Sequence, residues 1–278
     1  MRFAICNEVF GDMPLAEHFS AAAELGFDAV EVSPFTLDPY VTNISSARRQ
    51  ELRRMAADNG VAIAAIHWVL AKTEGFHSTH PDAAIRAKTI DYLRALVDFG
   101  VEIGAGAMVV GSPLQRRVLE DVTYAEAWGR FGEAMAAAGE RGAATDFKIC
   151  IEPLAPDTDN NFIMKTFEAV KLAREINLPN VGVIVDTYSA TRTEEDVPGA
   201  IHTAGDLLFH YHCNDLNKRA PGFGRVDFVP IFEALLDVNF ERYCSIEVFD
   251  FSLDPKDHVG RGLQHLKAAL AEAKMLRT

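Results

Sequence analysis

No stretch of this 278-residue sequence approaches the roughly 20 apolar residues that a membrane span requires. The opening MRFAICNEVFGDMP holds too short an apolar run for a secretory signal, so a cytoplasmic setting is expected. Cysteine is scarce: Cys6, Cys150, Cys213 and Cys244 stand far apart with no C-x-x-C pair, which argues for reduced, buried thiols rather than disulfides or a thiolate metal site. Basic residues are outnumbered 27 to 40, giving a net charge of -13, and no Lys/Arg block breaks the pattern. That excludes a broad surface for nucleic acid or for an anionic membrane. The glycine-rich phosphate loop is missing as well, since NEVFGDMP after the first apolar run contains one Gly and no G-x-G-x-x-G. Low-complexity tracts and Pro/Ser-rich linkers are also absent, and one domain over 1–278 is expected.

What is present is a repeated unit: a short apolar run ending in a polar residue, a turn, then a longer Ala/Leu-rich segment of helical period. The runs lie at 2–8, 28–33, 61–68, 107–112, 148–153, 181–187, 207–215 and 243–249. The helical segments lie at 14–26, 45–60, 81–100, 124–142, 161–176, roughly 194–205, 226–238 and 255–276. Eight strands alternating with eight helices predict a parallel sheet with helical crossovers. A single (β/α)8 barrel of about 250 residues uses the whole chain, with a doubly wound open sheet as the competing α/β arrangement.

Functional groups of such a barrel sit at the C-terminal ends of its strands. The run ends carry Asn7 and Glu8, Glu31, His67, Ser112, Glu152, Asp186, His212 and Glu247. The last four follow apolar runs that should be buried, where an unpaired carboxylate costs several kcal/mol. Strand alternation puts Cys150 with Glu152, Ile184 with Asp186, His210 with His212, and Ser245 with Glu247. If those faces point inward, three carboxylates and one imidazole converge. No cluster of Lys or Arg on the same strands balances them, so a divalent cation is the expected counter-charge. Oxygen donors with one imidazole favour Mn2+, with Mg2+, Co2+ or Zn2+ as alternatives. His210, one layer deeper, is expected to pack or to support a ligand. His67, Lys218 and Arg219 are expected to face substrate, Trp68 and Phe249 to wall the pocket, and Glu31 is a weaker site candidate.

At IEPL, VDTY, HCNDLNKRAPGFGRVDF and SIEVF the chain resembles the xylose isomerase-like TIM-barrel superfamily, in particular the sugar epimerase/isomerase group typified by ketose 3-epimerases. The segment GSPLQRR at 111–117 is also similar to members of that group. The resemblance implies a metal bound by Glu152, Asp186, His212 and Glu247. It also implies proton transfer by Glu152 and Glu247 through a metal-stabilised enediolate, substrate contact by Lys218 and Phe249, a small sugar substrate, and a homodimer or higher homo-oligomer. Two positions depart from the group: Ser189 stands where a His is usual and Thr158 where a Glu is usual. Epimerisation, aldose-ketose isomerisation, and a lyase or dehydratase reaction on a keto-sugar or keto-inositol all remain open at this point. An endonuclease IV-like phosphodiesterase, which shares a His-x-Asn-Asp element, is the rival from another class; its His-rich three-zinc site does not match a chain with nine histidines, most of them away from run ends. A non-catalytic sugar-binding barrel is a further alternative.

Overall fold

The computed structural model describes residues 1–194 and 196–277. Glu195, inside the sixth expected helix, and Thr278 at the end of the expected domain lie outside the described residues. Eight parallel strands close into one barrel in chain order: β1 (Arg2–Cys6), β2 (Ala29–Val32), β3 (Ala62–Ile66), β4 (Ala107–Val110), β5 (Lys148–Ile151), β6 (Val181–Asp186), β7 (Leu208–Cys213) and β8 (Tyr243–Ile246). The closing pair sets Phe3 opposite Cys244 and Ile5 opposite Ile246. Around the barrel run α1 (Leu15–Leu25), α2 (Ser46–Asp58), α3 (Ala83–Ile103), α4 (Tyr124–Gly142), α5 (Thr166–Ile176), α6 (Thr187–Thr193), α7 (Val197–Ala204), α8 (Phe228–Asp237) and α9 (Pro255–Leu276). The open-sheet alternative is thereby excluded.

The helices begin where a side chain can accept the first free N–H groups. Ser45 caps α2, Asp82 caps α3, and Thr123 with Glu126 forms a reciprocal capping box on α4. Helix α1 stops at Gly26, whose φ of 86° is the left-handed closure that a side chain resists. Alternation sorts the strand residues: on β5, Ile149 and Ile151 join the large core between sheet and helices, while Cys150 turns into the barrel. Inside, Ala4, Ala29 and Ala64 form one small layer and Ala107, Val109, Cys150, Ile184 and Phe209 another. Three cation–aromatic contacts finish the N-terminal end of the barrel, Arg2 over Tyr243 at 4.0 Å, and Lys148 and Arg242 each over Phe209 at 5.2 Å. The interior is therefore packed at that end, and polar only toward the C-terminal end.

Two features differ from the sequence expectation. The strands end one to three residues before the expected runs do, because the final residues leave the ladder. Asn7–Phe10 becomes a 3-10 turn, and Trp68 and Ser112 take left-handed φ values of 53° and 30°. An additional helix, α6, follows β6 directly and is capped by Asp186.

Candidate active site

The fold brings Glu152, Asp186, His212 and Glu247 together at the C-terminal mouth. One donor atom from each lies within 4.8 Å of the others, and all four residues are buried. Register accounts for part of this: Asp186 pairs with His212 across β6 and β7, and His212 with Ser245 across β7 and β8. Glu152 and Glu247 each stand one residue past the end of their strands, at the level where the ladder opens.

The His212 ring shows how such a set suits a cation. Its Nε2 lies 3.2 Å from Glu31 Oε1, so donation there leaves a lone pair on Nδ1. That Nδ1 lies 3.1 Å from Glu247 Oε2 and 3.7 Å from Glu152 Oε1, yet it is aligned for a hydrogen bond with neither. A buried nitrogen aimed at two carboxylates without hydrogen-bond geometry fits a shared cation between them. In the cation-free protein, burial pushes Glu152 up to about 8 and Asp186 up to about 6, with neighbouring carboxylates adding to both. Burial opposes a charged His212, but Glu247 and Glu31 raise it well above the usual imidazole range. Protons thus hold places that a divalent ion would take. Three hard carboxylates and one imidazole are a donor set for Mn2+, Mg2+, Co2+ or Zn2+.

Glu31 is the buried hub behind this cluster. Its Oε2 accepts from His210 Nε2 at 2.7 Å and its Oε1 from His212. Burial would push this carboxyl up, yet His210, His212 and His67 hold it well below the usual range. His210 therefore braces the ligand layer from below, with Ser245 Oγ 3.0 Å from its Nε2. His67 bonds instead to Glu8, Nε2 to Oε1 at 3.1 Å. Burial disfavours its charge, but Glu8 and Glu31 outweigh that and lift the ring to about 9. Glu8 is steadied in turn by Ser33 Oγ at 2.8 Å.

Above the cluster lies a cavity of about 440 Å³ lined by, among others, His67, Trp68, Tyr188, Lys218 and Phe249. Thr158 and Ser189, the two departing positions, line it as well. The Lys218–Arg219 pair divides. Lys218 lines the cavity, while the Arg219 guanidinium turns to Asp250, Nε to Oδ2 at 2.7 Å, and is absent from the lining. The expectation that Arg219 faces substrate is corrected accordingly: the acidic neighbour on the following loop captures it.

Several site residues escape a reading of run ends. Trp68 Nε1 donates to Glu247 Oε1 at 2.8 Å, so the indole is more than a wall. Asn214 donates from Nδ2 to Asp186 Oδ2 at 2.6 Å and accepts from Tyr188 N at 2.7 Å, steadying a ligand and the cavity wall together. The Asn of the His-x-Asn-Asp element was its available signal. Arg116 is a buried cation off the strands. Its NH1 donates to Val110 O at 3.3 Å, and burial pulls the guanidinium down to about 10, with Glu152 opposing. Gly111 completes the floor, because a Cβ there would fall onto Glu152 Oε2. Burial pushes the Cys6 and Cys150 thiols up, which keeps them inert.

Comparison with known proteins places this geometry. The chain is 28% identical over 235 residues to the D-psicose 3-epimerase of Ruminiclostridium cellulolyticum, covering 84% of this chain and 77% of that one. It is 27% identical over 259 residues to the L-ribulose 3-epimerase of Mesorhizobium japonicum, covering 90% and 82%. Its fold superposes with a TM-score of 0.86 on the crystal structure of D-psicose 3-epimerase with D-tagatose from Clostridium cellulolyticum H10, over 97% of this chain and 99% of that one at 21% identity. The family model described as the xylose isomerase-like TIM barrel matches residues 19–269, and the chain belongs to that family.

Proposed function

We propose that this protein is a divalent-metal-dependent sugar epimerase of the ketose 3-epimerase type, and that Glu152 and Glu247 are its acid/base pair. The observation that carries the reading is the convergence of two buried carboxylates, with Asp186 and His212, beneath a sugar-sized cavity. The kinship with named 3-epimerases supports it. A divalent ion held by Glu152, Asp186, His212 and Glu247, Mn2+ by first choice, would supply Lewis-acid polarisation of a ketone and its neighbouring hydroxyl.

The chain's own residues do the rest. Glu247, held below its usual range chiefly by His212 against the cost of burial, is the carboxylate poised to take a proton. Glu152, the second buried carboxyl of the cluster, is placed to return one. Removal and return at opposite faces of one carbon invert it. Aromatic Trp68 and Phe249 offer apolar faces to the C–H side of a sugar, and Lys218 and His67 offer donors to its hydroxyls. A cavity of about 440 Å³ has the capacity for one small molecule.

Incubating the protein and Mn2+ with a ketose panel in D2O tests this reading. Deuterium should enter at a carbon next to the carbonyl, with epimer formed in step. Glu152→Gln and Glu247→Gln should each remove turnover at least 1,000-fold on the order-of-magnitude scale of lost acid/base groups, with the circular dichroism spectrum retained. Product without solvent deuterium, or full activity in either variant, would overturn it, and product lacking water would reassign the site to elimination.

A further inference from the structure

We propose that Trp68 is a positioning residue for proton transfer: its indole N–H holds one oxygen of Glu247, leaving the other to face the cation site. The inference rests on Glu247 being one of the two proton-transfer carboxylates.

The two carboxylates are held unequally. Glu247 Oε1 accepts from Trp68 Nε1 at 2.8 Å, while Oε2 points to the donor cluster, 3.1 Å from His212 Nδ1. Glu152, also buried, accepts no such side-chain hydrogen bond among the described residues. Rotation about the last side-chain bond is therefore fixed by a hydrogen bond in one carboxylate, while the other has no such bond. A hydrogen bond to a charged acceptor is among the stronger ones, and here the accepting carboxylate is buried.

The rest of the loop is built to keep that indole in place. Trp68 takes a left-handed φ of 53°, an outlier for a bulky residue. Five of the eight non-glycine residues with positive φ among the described residues line this one cavity: Trp68, Lys72, Ser112, Asp159 and Lys218. Backbone outliers of this kind persist where surrounding structure over-determines them, as at functional sites. Phe35 meets the indole edge-on at 6.0 Å and Phe249 meets it tilted at 6.1 Å. Ser112 Oγ accepts from Leu70 N at 3.1 Å, tying the loop to the next strand end. Trp68 remains 39% exposed, so burial of apolar area does not account for this arrangement. Its polar end is what the arrangement directs inward, to a residue 179 positions away.

Removing the N–H while keeping the ring should let the Glu247 carboxylate rotate. The cost then falls on the proton-transfer step and not on sugar binding. Two variants read this: Trp68→Phe, and Trp68 replaced by 3-benzothienylalanine, which keeps the bicyclic shape and lacks the N–H. With D-psicose, D-tagatose and L-ribulose as probes and Mn2+ supplied, both variants should lose roughly tenfold to a hundredfold in kcat, with KM changed by less than about threefold. An activity-independent readout comes from the indole N–H resonances of the cation-free protein, of which the sequence allows two, Trp68 and Trp128. Trp128→Phe assigns them, and the Trp68 proton should lie downfield and move upfield in Glu247→Gln.

Normal kcat in both variants overturns the proposal. So does a loss seen in Trp68→Phe that the benzothienyl residue restores, or a change confined to KM, since either reduces Trp68 to a wall. Full exchange activity in Glu247→Gln would overturn the acid/base reading itself. The resonance shift separates the cases, because it reports the hydrogen bond whether or not Glu247 moves protons.

Discussion

At the scale of single residues, the site depends on groups with no chemistry of their own. Gly111 is the sharpest case. Its backbone does not need glycine, for its φ lies outside the left-handed region, but any Cβ would occupy the place of Glu152 Oε2. Gly111→Ala is therefore expected to swing Glu152 away from His212 and weaken cation affinity at least tenfold, with little loss of global stability. Calorimetric titration of the cation-free protein with Mn2+ measures the first, and thermal unfolding the second. An unchanged affinity would show that Glu152 is not a required ligand. The four strand-end donors were legible in the sequence because a carboxylate after an apolar run needs a partner. Gly111, Asn214 and the inward N–H of Trp68 were not, because their partners lie across the barrel and only register and loop geometry choose them.

At the scale of elements, the loop from 214 to 227 shows how chain chemistry builds a site wall. Asp215 is buried, and its carboxylate accepts from the backbone N–H groups of Leu216, Gly224, Arg225 and Val226. Its own backbone closes the turn, with N donating to Arg219 O and O accepting from Lys218 N. Gly224 is required at the crossing, since a Cβ would collide with the Asp215 carboxylate. The carbonyl of Lys218 then accepts from Phe249 N and Asp250 N, joining this loop to the one after β8. Asp215→Ala removes the shared acceptor of four part-buried backbone N–H groups at once and is expected to cost about 2–4 kcal/mol. Hydrogen exchange at 216–226 should rise far more than at β7, and KM should rise as Lys218 loses its place. Uniform exchange across both segments would contradict an independent loop scaffold. The alternation of strands and helices was readable because each apolar run and each amphipathic segment carries its own period. Helix α6 was not, since TYSATRT is short, polar and rich in β-branched residues, and its start depends on Asp186 accepting from Ser189 N at 2.7 Å.

At the scale of the whole molecule, the barrel is apolar at one end and carries a dense buried polar centre at the other. That centre is incomplete in electrostatic terms: Glu8, Glu31, Glu152, Asp186 and Glu247 face chiefly His67, His210, His212 and Arg116. Glu152 is the group most disturbed. Its carboxyl stands near 8 in the folded, cation-free protein against an ordinary value near 4.5, so the folded state holds a proton that the unfolded chain has released. Such a group favours folding fully below about pH 4.5, and that contribution fades as pH rises through about 8. A bound cation reverses the demand, because it needs the carboxylate and displaces the proton. Two results follow from the same linkage. Mn2+ affinity should rise with pH between about 6 and 8, the span marked by Asp186 and Glu152, with protons released on binding. The gain in thermal stability on adding Mn2+ to EDTA-treated protein should likewise be larger at pH 8 than at pH 6. At a free concentration a hundredfold above Kd, binding contributes about 2.7 kcal/mol, or roughly 5–10 °C for a chain of this size. Paired melting curves, with proton release followed by titration in buffers of different ionisation enthalpy, measure both. A Tm that ignores Mn2+ at either pH would mean that protons alone complete the centre, and that the barrel is stable without any ion.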